Sequence, residues 1–178
     1  MATGKTRATR RADARRGARV AIVRARWNEE VTLALEGGAI ERATDSGANV
    51  DLFEVAGSFE LPAAVALLAD TGRYDAIMPL GSVIRGETPH FEYIAQAVAK
   101  GLMDLTLTYQ TAIPFGVLTC DTIEQARERA GGAESNKGAE WMDAALEMVA
   151  LRQALARAPS SVRRSARKAS SASSRSTR

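Results

Sequence analysis

The sequence predicts an α/β fold in which a parallel sheet is covered by helices on both faces. Short apolar runs of strand length alternate along the chain with longer segments in which apolar residues recur at helical spacing. Helix-start residues such as Asn28 and Thr88-Pro89 follow these apolar runs. With 178 residues and 46% hydrophobic content, the chain is long enough for one domain with a substantial core.

The first half of the chain contains two predicted strands, each followed by a helix. Arg19–Ala25 is an apolar run of strand length, and Asn28 is placed to cap a helix that ends near Gly47. Val50–Val55 is the second strand. The turn after it leads into a second helix over about 60–69.

The third predicted strand, Ala76–Ile84, is apolar almost throughout, as expected of a strand buried on both faces of a parallel sheet. Pro79 lies inside it and lacks the N–H that a sheet ladder uses, so we expect a bulge or a locally unpaired position there. Thr88-Pro89 then starts a long helix, since Thr is a good N-cap and Pro suits the first helical position. The apolar stripe of this helix comprises Phe91, Ile94, Ala95, Val98, Leu102 and Leu105.

One strand and two helices complete the predicted domain. Phe115–Cys120 is the fourth strand. Asp121 and Glu124 have the spacing of a capping box for a short helix that ends near Gly131. A last helix covers about 138–157. Its predicted buried face comprises Met142, Ala145, Leu146 and Val149.

Charge divides the chain into three parts. Residues 1–19 carry +6, residues 20–151 carry −11 and residues 152–178 carry +8, which together give the net charge of +3. The basic ends therefore flank an acidic middle.

We expect the folded domain to cover residues 19–157. Residues 1–18 and the Ser/Arg-rich residues 158–178 have compositions that cannot bury a core, so both are expected to be flexible tails. Four interpretations of the tails remain open. They are solvated ends, or the first is an organelle transit peptide, or both bind nucleic acid or another polyanion without sequence preference. In the fourth, both tails lie on the acidic surface of their own protein, in the same or a neighbouring subunit, and neutralise it.

Composition disfavours several classes of protein. No apolar run approaches the about 18 residues of a membrane span, and the N-terminus lacks the apolar core of a secretory signal. The single cysteine, Cys120, cannot form an internal disulfide, and one Cys with one His makes an ordinary metal site unexpected. The glycine patterns of nucleotide triphosphatases and dinucleotide enzymes do not occur. We expect a cytoplasmic protein that needs no metal.

The candidate site lies beyond the carboxyl ends of the strands, where parallel sheets bind their ligands. These ends supply Trp27 and Phe59 as aromatic surfaces, Glu60 as a carboxylate, and His90, the only histidine, as an acid–base group. The backbone amides at the start of the helix that carries His90 favour an anion. Such a set suits a planar, polar, hydroxylated ligand together with a phosphate.

Six short segments resemble, in order and with compatible spacing, the successive motifs of the lumazine synthase family. They are RWN at 26–28, GSFELP at 57–62, LGSVIRGETPHF at 80–91, FGVLT at 115–119, ERAG at 128–131 and NKG at 136–138. The resemblance covers about residues 19–155. It implies a flavodoxin-like, three-layer α/β/α sandwich with a four-stranded, mainly parallel sheet.

The resemblance also implies an activity that needs no cofactor. Members of the family condense 5-amino-6-(D-ribitylamino)uracil with 3,4-dihydroxy-2-butanone 4-phosphate to 6,7-dimethyl-8-ribityllumazine, the penultimate step of riboflavin biosynthesis. They are homo-oligomers, pentamers of which some assemble into icosahedral cages, with active sites between neighbouring subunits. Riboflavin synthase is a further partner that the resemblance allows.

Residue by residue, the resemblance assigns most of the site to the pyrimidine substrate. Trp27 matches the residue that stacks on the ring, where many members have Phe. His90 matches the proton-transfer residue. The other residues matched to the ring and its ribityl chain are Ser58, Phe59, Glu60, Ser82, Val83, Ile84 and, from the adjacent subunit, Phe115.

The remaining matches concern the phosphate of the ketone substrate. Glu87 and Thr88 match the pair at this phosphate, and for Glu87 we expect the backbone rather than the carboxylate to bind. Arg129, from the adjacent subunit, and Lys137 match cations that hold the phosphate. Ala133 stands where many members have another lysine, so the resemblance implies one auxiliary cation fewer.

Two other functions fit parts of the sequence. A cage-forming packaging protein of the same fold would use the basic tails to bind polyanions. A flavodoxin-like binding module for a flavin or another stacked heterocycle would share the fold but would not need His90 or Arg129. Cys120 lies near the site and is expected to be a small buried hydrophobic residue rather than a nucleophile.

Overall fold

Strands and helices alternate along the chain in the computed structural model, which describes residues 16–131 and 136–157. The elements are β1 (Arg19–Ala25), α1 (Glu29–Asp45), β2 (Asn49–Val55), α2 (Leu61–Asp70), β3 (Ala76–Ile84), α3 (His90–Thr108), β4 (Val117–Cys120), α4 (Ile123–Arg129) and α5 (Lys137–Arg157). A 3-10 turn over Ser58–Glu60 precedes α2. Of the two predicted tails, only residues 16–18 are described: the N–H of Gly17 donates to the carbonyl oxygen of Gly47, and Ala18 is buried in the core, so the folded part begins before residue 19. The rest of both tails and Ala133 lie outside the described residues.

The four strands form one sheet in the order β2-β1-β3-β4, and every neighbouring pair is parallel. Helices cover both faces of this sheet, which confirms the predicted α/β sandwich. On one face α1 and α5 bury Leu35, Met142 and Leu146 against the strands. On the other face α2 and α3 bury Val65 and Leu102. Within the described ranges, none of the helices combines the length and apolar character needed to cross a bilayer.

Pro79 occupies a locally unpaired position in β3, one of the two accommodations that the sequence predicted. It remains in register with β1, opposite Val23. On the β4 side, the N–H of Ile77 donates to a loop carbonyl and the N–H of Gly81 donates to the carbonyl of Gly116. Alternate residues of a strand direct their N–H groups to the same side, so the missing donor of Pro79 falls between these two bonds. Gly116 is required here, because a Cβ at this position would overlap the carbonyl oxygen of Pro79.

Two helix starts differ from the prediction by one residue. Helix α3 begins at His90 with Pro89 as its N-cap, and the side chain of Thr88 makes no cap bond. Helix α4 is capped by Thr122 rather than by Asp121, and the Thr122 hydroxyl accepts a hydrogen bond from the backbone N–H three residues on. The residue types near a helix start indicate its approximate position. Which residue is the N-cap depends on the backbone dihedral angles, which the sequence does not show.

The last helix confirms the prediction in detail. Helix α5 runs from Lys137 to Arg157 and buries four of its apolar side chains most deeply against the sheet and α1. They are Met142, Ala145, Leu146 and Val149, the four residues that the helical spacing predicted. Cys120 at the end of β4 is also buried, as expected of a small hydrophobic residue.

Candidate active site

A cavity of about 230 Å³ lies at the carboxyl edge of the sheet. The ends of β1 and β3, the 3-10 turn and the first turns of α3 enclose it. It is lined by Trp27, Asn28, Ser58, Phe59, Ser82, Val83, Ile84, Gly86, Thr88, His90, Phe91 and Ile94. The fold therefore brings together most of the residues that the sequence assigned to the pyrimidine, together with His90 and Thr88.

Two aromatic side chains lie exposed at the mouth of this cavity. Trp27 is 67% exposed and Phe59 is 56% exposed, although both line the cavity wall. The indole of Trp27 lies against the backbone of Gly57, where a Cβ would come within 2.8 Å of the ring. The absence of a side chain at Gly57 therefore lets the indole approach the backbone closely, while most of its surface stays exposed.

Asn28 is a cavity residue to which the sequence analysis gave a helix cap and a place in the RWN motif, but no role in the site. Its backbone is left-handed, with φ of 57°, and its side chain makes no cap bond. Instead, Nδ2 donates to the carbonyl oxygen of Ser82 at 2.8 Å. This bond ties the end of β1 to the end of β3. The signal available in the sequence was that Asn tolerates left-handed backbone better than most residues.

Ser82 contributes a buried hydroxyl to the same wall. The residue is 3% exposed, and its Oγ has no hydrogen-bond partner among the described residues. A buried polar atom of this kind carries a free-energy cost unless another group supplies a bond.

The structure gives Glu60 a local partner. Its carboxylate accepts a hydrogen bond from the N–H of Gly57 at 2.9 Å, closing the 3-10 turn before α2. Glu60 is exposed and does not line the cavity. Its assignment to the ribityl chain stays a prediction, since its observed contact is that of a cap.

The phosphate end of the predicted site is the loop before α3. Gly86 and Thr88 line the cavity, whereas the exposed Glu87 does not. His90 is the first residue of α3, a helix of 19 residues whose first N–H groups point towards this loop. The N-terminal dipole of a helix favours an anion at this position.

Three predicted residues lie away from the cavity of their own chain. Phe115 precedes β4 and is 43% exposed. Arg129 ends α4 and donates to the carbonyl oxygen of Gln125 at 2.8 Å. Lys137 pairs with Glu140, with its Nζ 2.5 Å from the carboxylate. Within the described residues, these three side chains therefore do not line the cavity that contains His90.

Cys120 lies under the loop that follows β4. Burial raises the pKa of its thiol, and the positive charge of Arg129 opposes that rise. A thiol with a raised pKa is poorly suited to act as a nucleophile.

A charged cluster lies directly before the cavity segment of β1. The guanidinium of Arg24 is buried, with Nε 3.3 Å from Glu36 and Nη1 3.5 Å from Glu29, and it also pairs with Glu54. Burial raises the pKa of Glu36, while the charge of Arg24 acts in the opposite direction. No sequence motif indicated this cluster, because its members are far apart along the chain.

A larger cavity, of about 690 Å³, lies between the end of α3 and the second half of α5. Its lining is mostly apolar, including Met148 and Leu151. Arg152, on the same wall, is paired with Asp75 just before β3. This cavity contains none of the predicted site residues, so its greater size does not make it the candidate active site.

Together, the fold and the smaller cavity define an α/β protein with a small-molecule site at the carboxyl edge of a parallel sheet. The sequence model of 6,7-dimethyl-8-ribityllumazine synthase matches residues 17–170. The chain belongs to the 6,7-dimethyl-8-ribityllumazine synthase family, which confirms the resemblance drawn from the six motifs.

Relatives named 6,7-dimethyl-8-ribityllumazine synthase match most of the chain. One from Anaeromyxobacter dehalogenans is 47% identical over 146 residues, which are 80% of this chain and 90% of the relative. One from Thermus thermophilus is 50% identical over 145 residues, covering 80% of this chain and 92% of the relative. One from Frankia casuarinae is 48% identical over 139 residues, which are 76% of this chain and 86% of the relative.

Proposed function

We propose that this protein is a 6,7-dimethyl-8-ribityllumazine synthase. It condenses 5-amino-6-(D-ribitylamino)uracil with 3,4-dihydroxy-2-butanone 4-phosphate to 6,7-dimethyl-8-ribityllumazine, with release of phosphate and water. The observation that carries the proposal is the cavity that unites an exposed indole with the single histidine of the chain. Membership of the family supports the same reaction and does not favour the packaging alternative.

The pyrimidine binds between the aromatic mouth and the end of β3. Trp27 stacks on the ring, and Phe59 covers the neighbouring surface. The segment Ser82–Ile84 offers backbone groups and the hydroxyl of Ser82 to the ring edge. This hydroxyl is supported as a ligand contact because it is buried without a partner in the described chain.

The phosphate of the second substrate binds at the start of α3. The free N–H groups of the helix and the loop over Gly86 and Thr88 provide neutral donors. Arg129, supplied across a subunit boundary, and Lys137 add positive charge. The absence of Arg129 from the lining of its own chain's cavity supports its supply by a neighbouring subunit.

His90 moves the protons of the reaction. Addition of the amine to the ketone, loss of phosphate and ring closure each require a proton to be given or taken. Histidine is the side chain best suited to both roles near neutral pH, and such catalysis contributes roughly 10²–10⁴-fold. Holding the two substrates together supplies much of the remaining acceleration.

The active unit is a homo-oligomer with sites shared between subunits. The 230 Å³ cavity is smaller than the about 300–1,000 Å³ of typical ligand pockets, which supports a second subunit completing it. Pentamers, cages built from them, contact with riboflavin synthase and a cytoplasmic location belong to the same proposal. Binding of nucleic acid by the basic tails stays a prediction from composition.

The test is formation of the lumazine from the two substrates, followed by fluorescence. The wild-type protein should form it, and His90→Ala should lower kcat by roughly 10- to 1,000-fold with the oligomer intact. Lys100→Ala changes an exposed residue on the same helix and should leave the rate unchanged. A wild-type protein that forms no lumazine overturns the proposed function. A variant at His90 with the normal rate from pH 6 to pH 8 overturns only the proton-transfer role.

A further inference from the structure

The loop between β3 and α3 has few attachments of its own. It consists of residues 86–89 and carries two cavity residues, Gly86 and Thr88. No side chain of these four residues forms a hydrogen bond within residues 16–131 and 136–157. The geometry of the loop therefore depends on how its two ends are held.

Arg85, the residue before the loop, makes four contacts that reach three different elements. Its backbone N–H donates to the carbonyl oxygen of Cys120 at 3.0 Å. Its Nε donates to Asp121 at 2.6 Å, and its Nη1 donates to Glu92 at 3.2 Å. The guanidinium also lies over the ring of Phe91, 4.6 Å from the ring centroid.

These contacts close the loop at both ends. Arg85 directly follows the end of β3, while Phe91 and Glu92 belong to the first turn of α3, next to His90. Asp121 belongs to the turn that leads into α4 and Arg129. A single exposed ion pair contributes little, but a planar guanidinium held by two carboxylates and an aromatic face has a defined orientation.

The same contacts occupy the guanidinium. The hydrogen bonds to Asp121 and Glu92 raise the pKa of Arg85 and engage its Nε and Nη1. With two carboxylates already bound, the side chain is not placed as a free cation for a phosphate. Arg85 therefore affects a bound anion indirectly, by fixing the conformation of the 86–89 loop.

We propose that Arg85 is a positioning residue for the ketone phosphate site. It holds the 86–89 loop and the first turn of α3 in the geometry that presents Thr88 to the phosphate and directs His90. Arg85 itself does not touch substrate. The inference rests on the proposed function, because it names the residue that arranges that same site.

The test measures KM for each substrate separately in variants of Arg85. Arg85→Ala should raise KM for the butanone phosphate and lower kcat, a combined loss of about 10- to 100-fold, with KM for the pyrimidine within about twofold of wild type. Arg85→Lys should recover only part of the lost activity. An ammonium group keeps the positive charge but cannot donate to two carboxylates in the planar arrangement of a guanidinium. Arg42→Ala, which removes the comparable ion pair with Asp143 between α1 and α5, is the matched control and should leave both KM values unchanged.

Variants of the partners of Arg85 distinguish a positioning role from direct contact between Arg85 and the phosphate. Inorganic phosphate is the probe, measured as an inhibitor competing with the ketone. Asp121→Asn should weaken that inhibition, and Arg85→Ala combined with Asp121→Asn should be no worse than Arg85→Ala alone. Stronger inhibition in Asp121→Asn would show that the freed guanidinium binds phosphate directly, and the positioning role would be wrong.

Two further outcomes would overturn the inference. Equal increases in both KM values, with no recovery in Arg85→Lys, would indicate a general structural role. Phosphate binding can also be followed by ³¹P resonance without catalysis. If the wild type forms no lumazine but Arg85→Ala still weakens phosphate binding, the proposed function fails while the role of Arg85 in the phosphate site stands.

Discussion

Arg24 is the residue whose surroundings differ most from what its type suggests. It lies in an apolar strand, is 4% exposed and is surrounded by the carboxylates of Glu29, Glu36 and Glu54. A buried charge without partners costs several kcal/mol, so this cluster holds together only as a set. Because Arg24 directly precedes the segment that carries Trp27, the cluster also anchors one wall of the cavity.

Glu36 makes this cluster sensitive to pH. Burial is the main cause of its raised pKa, the charge of Arg24 lowers that pKa, and Glu54 raises it. A carboxyl group whose pKa is raised on folding stabilises the folded state fully at pH values below its ordinary pKa of 4.5. That contribution is lost as the pH rises through the folded-state pKa.

Arg24→Met should make the pH dependence steeper, because it removes the charge that holds the pKa of Glu36 down. At about pH 7.5 the free energy of unfolding of the variant should be about 3–5 kcal/mol lower than that of the wild type. Near pH 4.5 the difference between the two should be clearly smaller. Urea unfolding at both pH values measures this. Adding Glu36→Gln should recover most of the loss at the higher pH. An equal loss at both values would show that Glu36 is not the responsible group.

At the residue scale, motifs made His90 and Trp27 predictable, whereas the charge cluster of Arg24 and the contact of Asn28 with Ser82 were recognised only in the structure. His90 was identified because it is the only histidine and follows a helix-start signal. The partners of Arg24 lie on β2 and α1, and no local pattern in the sequence shows them meeting. The Asn28 bond to Ser82 likewise depends on the pairing of β1 with β3.

At the scale of elements, the packing of α5 on α1 depends on one glycine. A Cβ on Gly138 would overlap the carbonyl oxygen of Leu35, closer than the 3.0 Å that real Cβ atoms keep. Because the obstacle is backbone, it cannot move aside as a side chain could. Asn136 adds to the same contact by donating to the carbonyl of Ala34 at 2.7 Å.

Gly138→Ala should therefore lower the free energy of unfolding by roughly 1–3 kcal/mol through overpacking. Gly37→Ala is the control on the facing helix: it is exposed, and a Cβ there would meet no atom within 4 Å. This control should raise stability by up to about 1 kcal/mol, because Ala favours a helix more than Gly does. Thermal or urea unfolding of both variants measures these changes in stability. Equal changes in the free energy of unfolding for the two variants would contradict the close packing at Gly138.

The elements themselves were predicted well, and their ends less so. Strands β1 and β3 have the predicted bounds because each is a mostly apolar run that ends directly before an arginine. Strand β4 starts two residues later than predicted, at Val117. The carbonyl of Gly116 already bonds to β3, but the ladder begins only after the close passage over Pro79. The close packing of Gly116 on Pro79 is a tertiary contact, so the strand propensity of the local sequence could not predict it.

At the scale of the whole molecule, the site of one chain is incomplete for the proposed reaction. Trp27 and His90 share a cavity, while Phe115, Arg129 and Lys137 lie elsewhere in the same chain. The sequence could predict the sheet and its carboxyl edge from pattern alone. The placement of these three residues in one site came only from the family resemblance, which assigns Phe115 and Arg129 to an adjacent subunit.

Mixing two inactive variants should restore activity if the sites are shared. Chains with His90→Ala and chains with Arg129→Ala should form hetero-oligomers in which about a quarter of the sites are intact, by random pairing in a symmetric assembly. The rate of lumazine formation after joint unfolding and refolding measures this. A mixture of His90→Ala with Trp27→Ala is the control, because both residues come from the same cavity and no intact site can form. Verified hetero-oligomers of the first pair without activity would contradict sites shared between subunits.

The contact between α1 and α5 has a consequence for how the protein is made. The bond from Asn136 to Ala34 joins residues 102 positions apart, and Met142 and Leu146 complete the core around Val20 and Ile22. A chain emerging from the ribosome thus exposes the apolar side of its first strands until the last helix has been synthesised. The contacts that complete this layer have long sequence separation, and contacts of this kind form slowly and leave apolar surface exposed to aggregation in the meantime. A chaperone that shields β1 and α1 during synthesis would therefore act on yield without affecting the finished enzyme.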